Sequence, residues 1–230
     1  MSNNLFCAFR LITATIILVS LSPSLSADPF LTWNASSDLT PDQLDPPYEL
    51  TLSDGAGAPA LESGFLRIST TQNGQNAFYL MREPLVNTTQ PFTLEFSVQL
   101  VSGSSSVNYR GPVMVFITTS PGTGTLLAID VDKIFFLTGN FTPGPVAEVD
   151  TDGAPHDYRL EHDGSGGFKL YYDDGEILTT STFNDVNSHG SQMRVAWGEA
   201  STNASGESKW VYFRHTALDE SFSDSFEASE

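Results

Sequence analysis

Apolar and polar residues alternate with a period of two along most of this chain, and helical periodicity is nearly absent. FTLEFSVQL (92–100) is the clearest case. Phe92, Leu94, Phe96, Val98 and Leu100 fall on one face, and Thr93, Glu95, Ser97 and Gln99 on the other. Successive side chains leave a strand on opposite sides, so this pattern predicts a strand with one buried and one wet face. Runs rich in Val, Ile, Phe, Tyr and Thr recur at 48–52, 64–69, 77–82, 112–119, 125–130, 133–138, 156–163, 168–173, 176–180, 192–198 and 209–215. Clusters of Gly, Pro, Asn, Asp and Ser separate them. Strands at this spacing, with no helix between them, predict an all-β protein: an antiparallel two-sheet sandwich or a barrel. VMVFIT, within 112–119, is apolar on both faces and predicts a central strand covered on both sides. YYDDGEIL predicts a tight hairpin through Asp174-Gly175.

The first 27 residues do not fit this pattern. Arg10 precedes an apolar run from Leu11 to Leu21, and a small-residue segment follows to Ala27. A charged start, an apolar middle and a small-residue cleavage site are the layout of a signal peptide. The run is about half the ~20 residues a spanning helix needs. The expectation is a secreted, extracellular, periplasmic or cell-surface protein with no membrane span after cleavage. Cleavage would remove Cys7, the only cysteine, so the remaining chain must be stable without disulfides. Residues 28–217 are enough for one large core and read as one sandwich domain. Residues 218–230 read as an acidic, solvated tail.

The formal charge of −18 argues against nucleic acid as a partner, since phosphate binding needs clustered Lys and Arg. Acidic loops leave Ca2+ as an option, with none required. The oligomeric state stays open.

Several segments together resemble one known superfamily. These are PPYEL (46–50), LESGFLRIST (61–70), AFYLMREPL (77–85), FTLEFSVQLVSGSS (92–105) and DGAPHDYRLEHDGSGGFKLYYDDGEIL (152–178), with AWGEAS (196–201) and SKWVYFRH (208–215) at the end. In content and order they are similar to the concanavalin A-like lectin/glucanase jelly rolls, and within them to the laminin G-like type of bacterial secreted proteins. The resemblance implies a concanavalin A-like sandwich. It implies a function among carbohydrate-binding modules, adhesion domains and glycoside hydrolases, since a fold alone does not choose.

The residues narrow that choice. Glycosidases of this fold carry three alternating acids on one strand face, and no such triplet is present. LEFSVQL supplies Glu95 alone, Asp130 and Asp132 sit beside a turn, and Glu161 and Asp163 share a mixed-charge face with Arg159. There is no Gly-x-Ser-x-Gly, and His156, His162, His189 and His215 lack metal-ligand spacing. Asp150 and Asp152, followed by Gly153, resemble the start of a calcium loop, but the rest of an EF-hand pattern is missing. His156 reads as a structural residue at a strand start.

A sugar site needs aromatic plates for ring faces and carboxylates, amides or Arg for hydroxyls. The candidates are Tyr79, Glu95, Tyr109, Arg110, Tyr171, Glu199, Trp210, Tyr212 and Arg214. Within QMRVAWG, Met193, Val195 and Trp197 share the inward face. Within KWVYFRH, inward Val211 and Phe213 would turn Trp210, Tyr212 and Arg214 outward, beside a loop from Glu199 to Glu207. The reading is a secreted, non-catalytic, lectin-like domain. The alternatives are an adhesion or structural module that binds protein, and a glycoside hydrolase or polysaccharide lyase with an atypical site.

Overall fold

A computed structural model of the protein describes residues 30–107, 110–120, 123–138, 142–180, 184–185, 192–201 and 203–218. The expected signal peptide at 1–27, Cys7, Tyr109, His189 and residues 219–230 of the expected tail lie outside the described residues.

Among the described residues sixteen strands follow one another: β1 (Leu31–Asn34), β2 (Glu49–Leu52), β3 (Ala60–Glu62), β4 (Phe65–Thr70), β5 (Ala77–Arg82), β6 (Phe92–Ser105), β7 (Val113–Ser120), β8 (Thr123–Asp130), β9 (Lys133–Thr138), β10 (Thr142–Glu148), β11 (His156–His162), β12 (Phe168–Tyr172), β13 (Gly175–Thr180), β14 (Asn184–Asp185), β15 (Arg194–Glu199) and β16 (Ala204–His215). They form two antiparallel sheets. The first runs β13-β12-β11-β6-β16-β4-β3, and β1 also pairs with β16. The second runs β10-β9-β8-β7-β15-β5-β2, and β14 also pairs with β8. No helix among the described residues is long and apolar enough to cross a membrane.

The inner faces meet in one core. Leu94, Phe96, Val98, Trp210 and Phe213 of the first sheet pack against Tyr79, Val115, Ile117, Val195 and Trp197 of the second. A second apolar cluster lies on the far side of the second sheet: Met114, Leu126, Ala128, Phe135 and Leu137, with Phe116, Val146 and Ala200 against it. β7 is therefore a central strand with both faces buried, as its sequence predicts.

β16 organises the first sheet. One edge pairs with β6. The other pairs with β4 over Gly206–Trp210 and with β1 over Tyr212–His215. Its register against β6 shifts between Trp210 and Tyr212, where Val211 is an extra, unpaired residue. This bulge corrects the expected facing of KWVYFRH. Trp210 and Phe213 are three apart, which in a regular strand would put them on opposite faces. With Val211 bulged out of the ladder, both point into the core and both are 0% exposed.

Tyr79 is likewise inward and buried, with Ala77 and Met81. Its neighbours Phe78 and Leu80 are apolar because they face the far side of the second sheet, so alternation alone could not choose the face. The hairpin turn is one residue earlier than expected. Asp173 (φ 46°) and Asp174 (φ 68°) are its two central residues, and Tyr172 pairs with Gly175. Positive φ at both positions is what a tight hairpin with the right twist demands, and Asp is among the few residues besides glycine that accept it.

Candidate functional site

The outer face of the first sheet carries a cross-strand row of functional side chains. Register places Glu176, Tyr171, Arg159, Glu95, Arg214 and Thr32 opposite one another on β13, β12, β11, β6, β16 and β1. A second row places Asp157, Ser97, Tyr212 and Asn34 side by side. Alternation along β6 and β11 turns these residues away from the core, because Phe96, Leu94, Tyr158 and Leu160 occupy the inward positions. Beyond its bulge, β16 presents Tyr212 and Arg214 to the same side.

These rows line a recess of about 270 Å³ bounded by Glu95, Asp157, Tyr158, Arg159, Tyr171, Asp174, Tyr212 and Arg214. Arg214 donates from Nε to Glu95 Oε2 at 2.7 Å, and its Nη2 donates to the same oxygen. Its guanidinium lies 4.7 Å from the centre of the Phe30 ring and 5.7 Å from that of Tyr212. Arg159 pairs with Glu161 at 3.1 Å and sits 4.1 Å over the Tyr171 ring. The phenol of Tyr212 donates to Asp157 Oδ1 at 3.3 Å. Burial, helped by the charges of Asp157 and Glu95, pushes the Tyr212 phenol up to about 12. Four of the expected site residues, Glu95, Tyr171, Tyr212 and Arg214, thus share one recess. Asp157, Arg159 and Asp174 join them. The outward facing of Asp157 and Arg159 was legible in HDYRLEH, while Asp174 sits in the β12–β13 turn, and the place of Asp157 and Arg159 beside Glu95 depends on β11 lying between β6 and β12.

The remaining expected residues are elsewhere. Trp210 and Tyr79 have no exposed face to offer a sugar. Glu199 is 1% exposed and belongs to the core. The period that carries Val195 and Trp197 inward carries Glu199 with them. Its Oε2 accepts from Thr70 Oγ1 at 2.8 Å and its Oε1 from Ser208 Oγ at 3.0 Å. Ser208 in turn accepts from Trp210 Nε1 at 3.1 Å. Burial raises the Glu199 carboxyl to about 8 against the lowering effect of these donors. Arg110 is half-buried before β7, does not line the recess, and is lowered by burial.

Asp150 and Asp152 are exposed in the β10–β11 connection, where Asp150 Oδ1 accepts from the Asp152 amide at 3.2 Å. Among the described residues no group of three or more His, Cys, Asp or Glu is placed to hold a metal. His156 opens β11, with Nδ1 2.8 Å from Asp173 Oδ2 and its ring stacked on Tyr172.

The architecture has counterparts among solved structures. The metal-free carbohydrate recognition domain of Emp46p matches with a TM-score of 0.52 at 11% identity, over 79% of this chain and 93% of that one. The fold is the concanavalin A-like jelly roll. The potassium-bound form of the same Emp46p domain matches the jelly roll with a TM-score of 0.50 at 13% identity, over 81% of this chain and 94% of that one. The binding domain of botulinum neurotoxin serotype D gives 0.51 at 11% identity, over 86% and 51%. No protein-family model and no curated protein matches the chain. At such identities the likeness speaks for the jelly roll, and the recess has to speak for itself.

Proposed function

We propose that the protein is an exported, lectin-like domain, non-catalytic, that binds carbohydrate in the recess on the outer face of the first sheet. The observation that carries this reading is the convergence of two tyrosine rings, two guanidinium groups and three carboxylates in one recess. A sugar presents an apolar ring face and a rim of hydroxyls. Tyrosine suits the first, and carboxylates and guanidinium groups suit the second. At about 270 Å³ the recess is near the lower end of ligand clefts, roughly 300–1,000 Å³. That size suits the end of a glycan better than the middle of a long chain. The leader-like first 27 residues support export, and the Emp46p domain is a carbohydrate recognition domain of the same fold. The reading needs no cation.

A glycan array probed with the protein, with and without Ca2+, tests it. Binding is expected in both conditions and is expected to fall in Tyr171→Ala and Tyr212→Ala. No glycan bound in either condition would sink the carbohydrate reading and leave the adhesion alternative. Binding that survives both substitutions would move the site off this recess.

A further inference from the structure

The ion pairs around the recess leave its charges unbalanced. Arg214 is committed to Glu95, Arg159 to Glu161, and nearby Lys169 to Glu176. Asp157 and Asp174 line the same recess, and among the described residues no Lys, Arg or His pairs with either. Asp157 Oδ1 accepts only the long 3.3 Å bond from Tyr212. Asp173, next in the chain to Asp174, is occupied differently, by His156 and by the amide of Asp157. Two exposed carboxylates therefore face a recess whose cations are already neutralised. The chain's charge of −18 adds a long-range field of the same sign.

Resting on the reading of this recess as a sugar site, we infer that its ligand carries a free amine: an amino sugar whose ammonium group is held by Asp157 and Asp174. An ammonium has three donors and no acceptor, which matches a pair of acceptor-only carboxylates. A uronic acid, a sulfated sugar or any other anionic residue meets two unpaired carboxylates here. It finds no free guanidinium, because both recess arginines are engaged.

The test compares glucosamine oligosaccharides with N-acetylglucosamine oligomers of the same length and with oligogalacturonate, by calorimetric titration of the protein at mildly acidic pH and low salt. The glucosamine oligomer is expected to bind about tenfold tighter than its acetylated counterpart, a charge-assisted increment. The preference is expected to shrink in high salt and to vanish as the amine loses its proton. Asp157→Asn with Asp174→Asn is expected to bring the ratio to about one. Both sites are exposed, and Asn accepts the left-handed backbone of position 174, so an unchanged melting temperature is expected to certify the fold. Equal or tighter binding of the acetylated oligomer, still weakened by Tyr171→Ala, overturns the amine inference and leaves the sugar site standing. Preference for oligogalacturonate does the same. Failure of every glycan to bind overturns the reading beneath it as well.

Discussion

Trp197 of one sheet and Trp210 of the other meet across the sandwich with ring centres 4.6 Å apart. Phe213 stacks on the same Trp197 at 4.7 Å, with planes 11° from parallel. Trp197 on β15 and Trp210 on β16 are thus partners in one aromatic stack and neither faces solvent. Trp210→Ala is expected to cost about 3–5 kcal/mol, the usual range for emptying a buried tryptophan site. It also leaves Ser208 without its indole donor. Thermal unfolding should show the loss, while glycan affinity of the remaining folded protein at low temperature should be unchanged. A variant as stable as the wild type would contradict the stack's role.

The Val211 bulge makes a sharper prediction. Deleting Val211 removes the extra residue and leaves a regular ladder with the facing of the later residues of β16 unchanged. Phe213 and His215 would still point inward, and Tyr212 and Arg214 outward. The deletion is therefore expected to keep cooperative unfolding, followed by near-ultraviolet circular dichroism, and loss of cooperativity would contradict Val211 as the extra residue. Val211→Ala keeps the backbone and is expected to stay within about 1 kcal/mol of the wild type, because the side chain is only half-buried.

Two buried groups set the pH profile. Glu199 holds its proton to about pH 8 when folded and releases it near 4.5 when unfolded, so its contribution is lost as pH rises from 4.5 to 8. His215 is 0% exposed, its ring nitrogens have no hydrogen-bond partner, and burial lowers it to about 4 from 6.5. The unfolded chain therefore binds the proton more readily between pH 4 and 6.5, and stability is lost as pH falls through that window. Between about 4.5 and 6.5 the two slopes oppose each other, so these groups favour a stability maximum there, with losses on both sides. Melting temperatures measured from pH 4 to 9 should show it. Glu199→Gln is expected to flatten the alkaline side, and His215→Phe the acid side. A profile unchanged by Glu199→Gln would rule out a protonated Glu199.

Much of this architecture was legible because a half-buried strand writes its facing into alternate residues. Phe92 to Leu100 is the model instance, and the expected strand bounds are close to those of β2, β4 to β9, β11 to β13, β15 and β16. The omissions have local causes. β10, TPGPVAE, carries two prolines and a glycine and is tolerable only because it lies at a sheet edge. β1, β3 and β14 are too short to show a period. Trp210 was misplaced because counting from Val211 and Phe213 crosses a bulge that apolar spacing does not mark. At the recess, Glu95, Tyr171, Tyr212 and Arg214 were visible as outward functional residues. That Asp157, Arg159 and Asp174 join them was not, since alternation says which way a side chain points and nothing about which strands become neighbours.

β16 is the strand on which β1, β4 and β6 all depend, and it comes after the other described strands in the chain. As the chain leaves the ribosome, β6 has one open edge of fourteen residues until β16 arrives. Such an edge is a template for pairing with another chain. Leu31 and His215, paired at the close, are among the most distant ladder partners in the sequence, and contacts of that span slow folding. The first sheet therefore stays open along β6 until the twelve-residue β16 is in place.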